Sequence, residues 1–367
     1  MSHLLKDLYS PAFYDKLTTA LVATLPGFDR PKFLKEIFND DFSSKELKER
    51  MKHTSNVLHG FLPAKYPETI QIIKNTIEVL RKKGIGEDGL AYMFLPDYLE
   101  IYGINYFEES VKALEFVTQF VSCEFAVRPF IIKYGEQMIT QMQQWSLHES
   151  HKVRRLASEG SRPRLPWAMG IPFLKKDPAS ILPILENLKQ DSSEYVRRSV
   201  ANSLNDIAKD HPQIVLHIAK RWSGLSAETD AIIKHGCRTL LKQGHAEILK
   251  HYGLSDEGIL LKNFLILTPE VRIGESLAFS FSIKNENSTA QKIRLEYAIY
   301  YKKKSGQNTK KVFKISERIY QAGDEVSIVR KQKFVLITTR KFHLGDHQIA
   351  LIINGAEKEI SNFDLLD

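Results

Sequence analysis

Three carboxylates in this sequence stand where a carboxylate needs an explanation. Glu159 lies within HESHKVRRLASEGSRPRLPW (His148–Trp167), a stretch with four arginines and a terminal tryptophan. Asp206 follows VRRSVANSL, and Glu124 sits in FVSCEFAVRPF with apolar or small neighbours on nearly every side. Clustered arginines favour an anionic polymer. Carboxylates oppose polyanion binding, so an acid kept among the arginines suggests service to a cationic centre, that is, chemistry on the polymer rather than adhesion alone.

Each residue also has an ordinary reading. His151, Arg155 and Glu159 fall at i, i+4 and i+8 on one helix face, as do Arg198, Asn202 and Asp206. Such spacing can be simple ion pairing on a solvated face, worth a few tenths of a kcal/mol. Glu124 can be a buried acid satisfied by Arg128 at i+4, because buried charges are usually paired. Trp167 reads by default as a core tryptophan, and Trp145 and Trp222 as packing.

The elements that position these residues read as helical from residue 1 to about 260. PETIQIIKNTIEVLRKK (Pro67–Lys83) and EESVKALEFVTQFV (Glu108–Val121) repeat apolar residues at three and four positions, with Gly and Pro between segments. VRRLASEG (153–160), VRRSVANSL (196–204) and IKHGCRTLL (233–241) align at spacings of 43 and 37 residues. That is close to the roughly 40 residues of a HEAT-type helical pair. Val153, Leu156, Ala157, Val196, Val200, Leu204, Ile233, Cys237 and Leu240 form the expected buried face. Arg154, Arg197 and Lys234, then Arg155, Arg198 and His235, recur beside it, and stacking predicts a basic stripe along a concave surface.

Beyond about residue 261 the period becomes two. ESLAFSFSIKN, QKIRLEYAIYYKK, KKVFKISERIY, VSIVRKQKFVLI and HQIALIING alternate apolar and polar residues, with ENST and KSGQN as connectors. Six or seven short strands predict an immunoglobulin-like β-sandwich of the disulfide-free kind. The expected organisation is an all-α HEAT-like repeat solenoid over 1–260 followed by an all-β immunoglobulin-like sandwich over 261–367. The second part carries 18 Lys and Arg against 12 Asp and Glu, a surplus of 6 in a chain of net charge +8. Lys302, Lys303, Lys304, Lys310 and Lys311 gather around one predicted hairpin tip.

Several function classes are excluded on the same grounds. The opening MSHLLKDLYSPAFYDKL lacks a long apolar region, so no secretory signal is expected. No run of eighteen apolar residues occurs, so no membrane span is expected. Cys123 and Cys237 are far apart, which suits a reducing cytoplasm and neither a disulfide framework nor a zinc site. The histidines show no ligand spacing, so no metal is expected. GIGEDG places Gly84, Gly86 and Gly89 at dinucleotide-loop spacing, but a helix precedes it where a strand is required, and Glu87 and Asp88 would repel a pyrophosphate. A helix–helix turn is expected there. The P-loop, HExxH and GxSxG signatures are absent.

SCEFAVRPF, RRLASEGSRPRLPW and VRRSVANSLNDIAKDHP together resemble the AlkC family of bacterial DNA alkylation-repair glycosylases, HEAT-like proteins related to AlkD. The resemblance covers roughly 1–260, and the sandwich fits the subgroup with a C-terminal immunoglobulin-like domain. It implies a monofunctional enzyme, without cofactor, that excises cationic N3-alkylated bases, 3-methyladenine and 3-methylcytosine, from double-stranded DNA. It implies Glu124, Glu159 and Asp206 as active-site acids and Trp167 as an aromatic wall. Arg155 and Arg162 look like backbone contacts in the same sense. Arg154, Arg164, Arg197, Arg198, Lys234, Lys302, Lys303 and Lys304 complete the expected DNA-binding set, in a monomer with no membrane partner.

Two readings compete with the enzyme. A HEAT-repeat scaffold for DNA or protein would have the three carboxylates point apart or lie buried in ion pairs, whereas their convergence in one groove would count against it. A membrane-surface adaptor would use the basic hairpin.

Overall fold

The computed structural model describes residues 4–85, 89–304, 306–335 and 342–367. Met1–His3 of the opening segment, Gly86, Glu87 and Asp88 of the expected turn, Ser305 of the KSGQN connector, and Leu336 and Ile337 of one expected strand lie outside the described residues. Among the described residues every regular element up to His251 is helical, and every one from Ile259 is a strand.

The helices follow the apolar spacing. In Tyr66–Lys82, Ile70, Ile73, Ile77 and Leu80 point inward, Pro67 occupies the first turn, and Gly84 just beyond has φ +70°. A left-handed glycine after the last turn is a common helix stop. Phe107–Val117 is shorter than the expected 108–121, because the chain turns at 118–120. Phe120 and Val121 are buried within that turn, so the apolar pattern there serves tertiary packing rather than helix continuation.

His151–Gly160, Glu194–Ile207 and Ala227–Gly236 pack side by side, the first two carrying a whole copy of the repeat and the last the start of the third. Val153, Leu156, Val196, Val200, Leu204 and Ile233 are buried as the alignment predicts. Small residues set the spacing. Ser158 and Ser199 meet through their hydroxyls at 2.7 Å, and a Cβ on Gly236 would come 2.8 Å from the Cβ of Leu204. The third copy is not one helix: it breaks at Cys237, and Arg238–Lys242 forms a separate short helix.

The chain divides into two compact units. One holds residues up to Val215 with Arg221–Gly236, the other Leu216–Lys220 with Cys237–Asp367. In the second, eight strands are found among the described residues, not six or seven: β1 (Ile259–Ile266), β2 (Glu270–Arg272), β3 (Ser276–Asn285), β4 (Gln291–Lys302), β5 (Asn308–Tyr320), β6 (Glu325–Lys333), β7 (Gly345–Ile353) and β8 (Ala356–Leu366). They form sheets β1-β3-β6 and β2-β8-β7-β4-β5, antiparallel except that β2 runs parallel to β8. Three strands have no counterpart among the segments read from the sequence: β1, whose register shifts between Lys262 and Leu265, β2, which has three residues, and β8, in which Ile360 faces solvent. Phe279, Phe281, Ile293, Ile299, Leu351 and Phe363 are among the residues that fill the space between the sheets. Among the described residues no helix is long and apolar enough to cross a membrane.

Candidate active site

The helical unit contains a cleft of about 430 Å³ whose lining includes Glu124, Arg155, Glu159, Arg162, Trp167 and Tyr195. Glu124 comes from the turn before the helix Val127–Tyr134, Arg155 and Glu159 from His151–Gly160, and Arg162 and Trp167 from the loop that follows. The i,i+4 spacing of Arg155 and Glu159 does not mark a solvated face. Both are largely buried, with Arg155 Nη2 3.8 Å from Glu159 Oε1.

The charges form one alternating chain. Glu124 accepts from Arg155 and from Ser122 Oγ at 2.9 Å. Glu159 Oε1 accepts from Arg162 Nη1 at 2.5 Å, and Asp206 Oδ2 from Arg162 Nε at 2.8 Å. Lys209 donates to the other oxygen of Asp206 at 3.0 Å. Burial pulls the Arg162 guanidinium down, but Glu159 and Asp206 outweigh it and hold the group above its ordinary range. Glu124 and Glu159 therefore share the cleft. Asp206 does not line it: the side chain is 2% exposed and sits behind Arg162.

Several expected pairings are corrected. Arg128 is not the partner of Glu124. Fully buried, it donates to the carbonyls of Met169 (2.7 Å), Gly160 (2.9 Å) and Arg162 (2.8 Å), fastening the loop after the arginine-rich helix. Burial and the neighbouring Arg162 pull its pKa down to about 10, against the opposing pull of Asp206, Glu159 and Glu124. Arg198 turns back to Glu194 at 3.1 Å rather than forward to Asp206, because position 206 faces the interior. Arg162, expected on a DNA backbone, is instead buried between two carboxylates.

Trp167 is not a core residue. Its side chain is 69% exposed and its φ is +67°. A left-handed conformation costs a non-glycine residue roughly 1–2 kcal/mol. Lys48 donates to the Trp167 carbonyl at 2.6 Å, and with Arg128 on either side of the loop it holds the ring out at the cleft. Trp145 and Trp222 are packed inside, donating to Glu115 and Glu186.

The basic stripe proves to be partly a row of latches. Arg154 Nη1 reaches back to the carbonyls of His148 and Glu149, and Arg197 Nη1 to those of Asp191 and Ser192, the same six- and five-residue steps. Arg154 also grips Asp191 with two nitrogens, at 2.6 and 3.0 Å. Arg164 forms a two-pronged pair with Asp210. Arg198 remains on the surface, Lys234 is partly exposed, and His235 meets Asn202 at 3.1 Å. In the sandwich, Lys303 and Lys304 are exposed and Lys302 is half-buried at the end of β4. Tyr195, Ser122 and Lys48 escaped the sequence reading. None has a distinctive spacing, and only the fold brings them to Arg155 and Trp167. Among the described residues, no three His, Cys, Asp or Glu side chains gather as metal ligands would.

Behind the cleft, a void of about 30 Å³ lies between Met51, Met93, Asp97, Glu100, Ser122 and Phe125. Burial, and then the nearby Asp97, push the Glu100 carboxyl from 4.5 up to about 7, against Lys52 and Lys48. The folded protein thus holds this proton more tightly than the unfolded chain, and stability is lost as pH rises from about 4.5 to about 7. Glu100→Gln removes that loss. In urea titrations the variant should gain stability relative to the parent at pH 8 compared with pH 5. An identical difference at both pH values would contradict the assignment.

Comparison with known proteins gives three findings. The model of the YhaZ C-terminal Ig-like domain family matches residues 261–367. The chain is 43% identical over 362 residues, 98% of its length, to a Bacillus subtilis (strain 168) protein, uncharacterized protein YhaZ, of which it covers 99%. Its structure superposes with a TM-score of 0.93 and 34% identity, over 100% of both chains, on the Pseudomonas fluorescens alkylpurine DNA glycosylase AlkC, solved bound to DNA containing an abasic site analog.

Proposed function

This chain belongs to the AlkC family, and from that premise we propose that it is a monofunctional DNA glycosylase that releases cationic N3-alkylated bases from duplex DNA. The observation that carries the reading is the chain of carboxylates and guanidiniums along a cleft walled by an outward-held tryptophan. A base alkylated at N3 is already positively charged. It leaves with the electron pair of the N-glycosidic bond and becomes neutral without needing a general acid. Positive charge moves onto the deoxyribose, and water adds to C1′ as its proton passes to a carboxylate or to solvent.

Glu159 and Glu124 both line the cleft, where their fixed charges would stabilise that developing cation. Asp206 adds a third negative charge one guanidinium behind Glu159, and its field reaches the cleft through the interior. Trp167 offers a π face to the lesion or sugar. Arg155, Arg198, Lys234 and the hairpin lysines 302–304 would contact phosphates, contacts that place DNA without reading sequence.

A binding scaffold is the second reading, favoured by the ion pairs in which all three carboxylates lie. One assay separates the two. Wild-type protein mixed with methylated duplex DNA should release 3-methyladenine in a single turnover, and Asp206→Asn should bind the duplex but release it far more slowly. Tight binding with no release by the wild type would leave only the scaffold.

A further inference from the structure

The lysine that lines the cleft stands where its own helix does not favour it. Lys48 lies in the first turn of Leu47–His59, and a cation there opposes the helix dipole. Its contacts lie elsewhere. Nζ donates to the Trp167 carbonyl at 2.6 Å, across 119 residues of chain, and stands 5.7 Å from the centre of the Phe125 ring. Phe125 follows Glu124, and both line the cleft with Trp167. Trp167 needs such a hold. With its side chain 69% exposed, packing does little to select its left-handed backbone (φ +67°), a conformation that bulky residues avoid. Arg128 fastens the loop at Arg162 and Met169, and Ile171 N closes on the Pro163 carbonyl at 3.2 Å. Those bonds fix the ends of the loop rather than its tip. At the tip, Ala168 N meets the Leu165 carbonyl at 3.2 Å, and Lys48 supplies a hold from outside the loop.

We infer that Lys48 is a positioning residue for base release: it ties the aromatic wall of the cleft to the turn that carries Glu124, and so fixes where the indole stands relative to that carboxylate. Lys48 takes no part in the bond-breaking itself and acts through Trp167. The inference rests on the glycosylase reading for its effect on rate, whereas the hold on Trp167 is measurable without DNA. The ordinary role for a lysine here, a contact to a DNA phosphate, has a different signature. Its loss weakens binding and makes the salt dependence shallower, and leaves the rate unchanged once the duplex is saturated.

Two measurements on the full chain test this. Time-resolved fluorescence anisotropy reads the ring, with Trp167→Phe as the blank for the buried Trp145 and Trp222. Lys48→Met should enlarge the fast component that belongs to Trp167, and Lys48→Arg, which keeps a donor of similar reach, should hold it at the parental level. Single-turnover release of 3-methyladenine at saturating protein should slow about tenfold in Lys48→Met, inside the loss that a small misplacement can cause, and recover in Lys48→Arg. In a Trp167→Ala background, adding Lys48→Met should slow release by less than about twofold, because the two residues act as a unit and no ring is left to place. Unchanged ring motion in Lys48→Met, an unchanged saturating rate, or a rate loss that persists in full without Trp167 would overturn the inference. Failure of the wild type to release 3-methyladenine would instead overturn the glycosylase reading, and the anisotropy would still decide whether Lys48 holds the ring.

Discussion

Glu159→Gln should slow single-turnover release of 3-methyladenine by about 10²–10³-fold, the usual cost of losing one preorganised electrostatic group, while leaving duplex affinity within a few-fold of the parent. The substitution keeps the shape of the side chain and removes only its charge. Arg162 keeps Asp206 through Nε and can still donate to the new amide oxygen from Nη1, so the local structure has its hydrogen bonds. What disappears is the negative charge that lines the cleft. A variant that matched the parent's single-turnover rate would remove Glu159 from the chemistry, whatever its steady-state behaviour.

Arg162→Met should lower stability markedly. The guanidinium is the shared partner of Glu159 and Asp206, and all three side chains are at most 7% exposed. Removing it leaves Glu159 with Arg155 at 3.8 Å and Asp206 with Lys209. Stranding buried carboxylates in this way costs roughly 3–5 kcal/mol, which should appear as a marked fall in the urea midpoint. Glu159→Gln combined with Arg162→Met should recover part of that loss, since one stranded charge is then gone. A midpoint unchanged by Arg162→Met would mean that the interior there admits enough water to solvate both acids.

The fold was legible where periodicity is strong and local. Ile70, Ile73, Ile77 and Leu80 mark a helix by spacing alone, and the alternation of QKIRLEYAIYYKK marks β4. The misses came where tertiary packing replaces local pattern. Phe120 and Val121 extended a helical period into a turn, and Ile360 broke the alternation of β8. At the site, Glu124, Glu159 and Asp206 were visible as acids in unusual company, but their partners were not. Sequence spacing offered Arg128 to Glu124 and Arg198 to Asp206. The fold gives Glu124 to Arg155 and Asp206 to Arg162, across 31 and 44 residues of chain.

The sequence by itself determined the succession of helical repeat and sandwich, and the residue types from which a cation-handling site could be built, because both reside in local periods and in composition. Only the tertiary structure decided which charges are spent. Arg154 and Arg197 hold turns, Arg162 neutralises two buried acids, Arg128 fastens a loop, and Trp167 stands outside the core on a left-handed backbone. The physical reason is that a buried charge must find its partner within a few ångströms, and after folding the nearest partner in space is seldom the nearest in the chain.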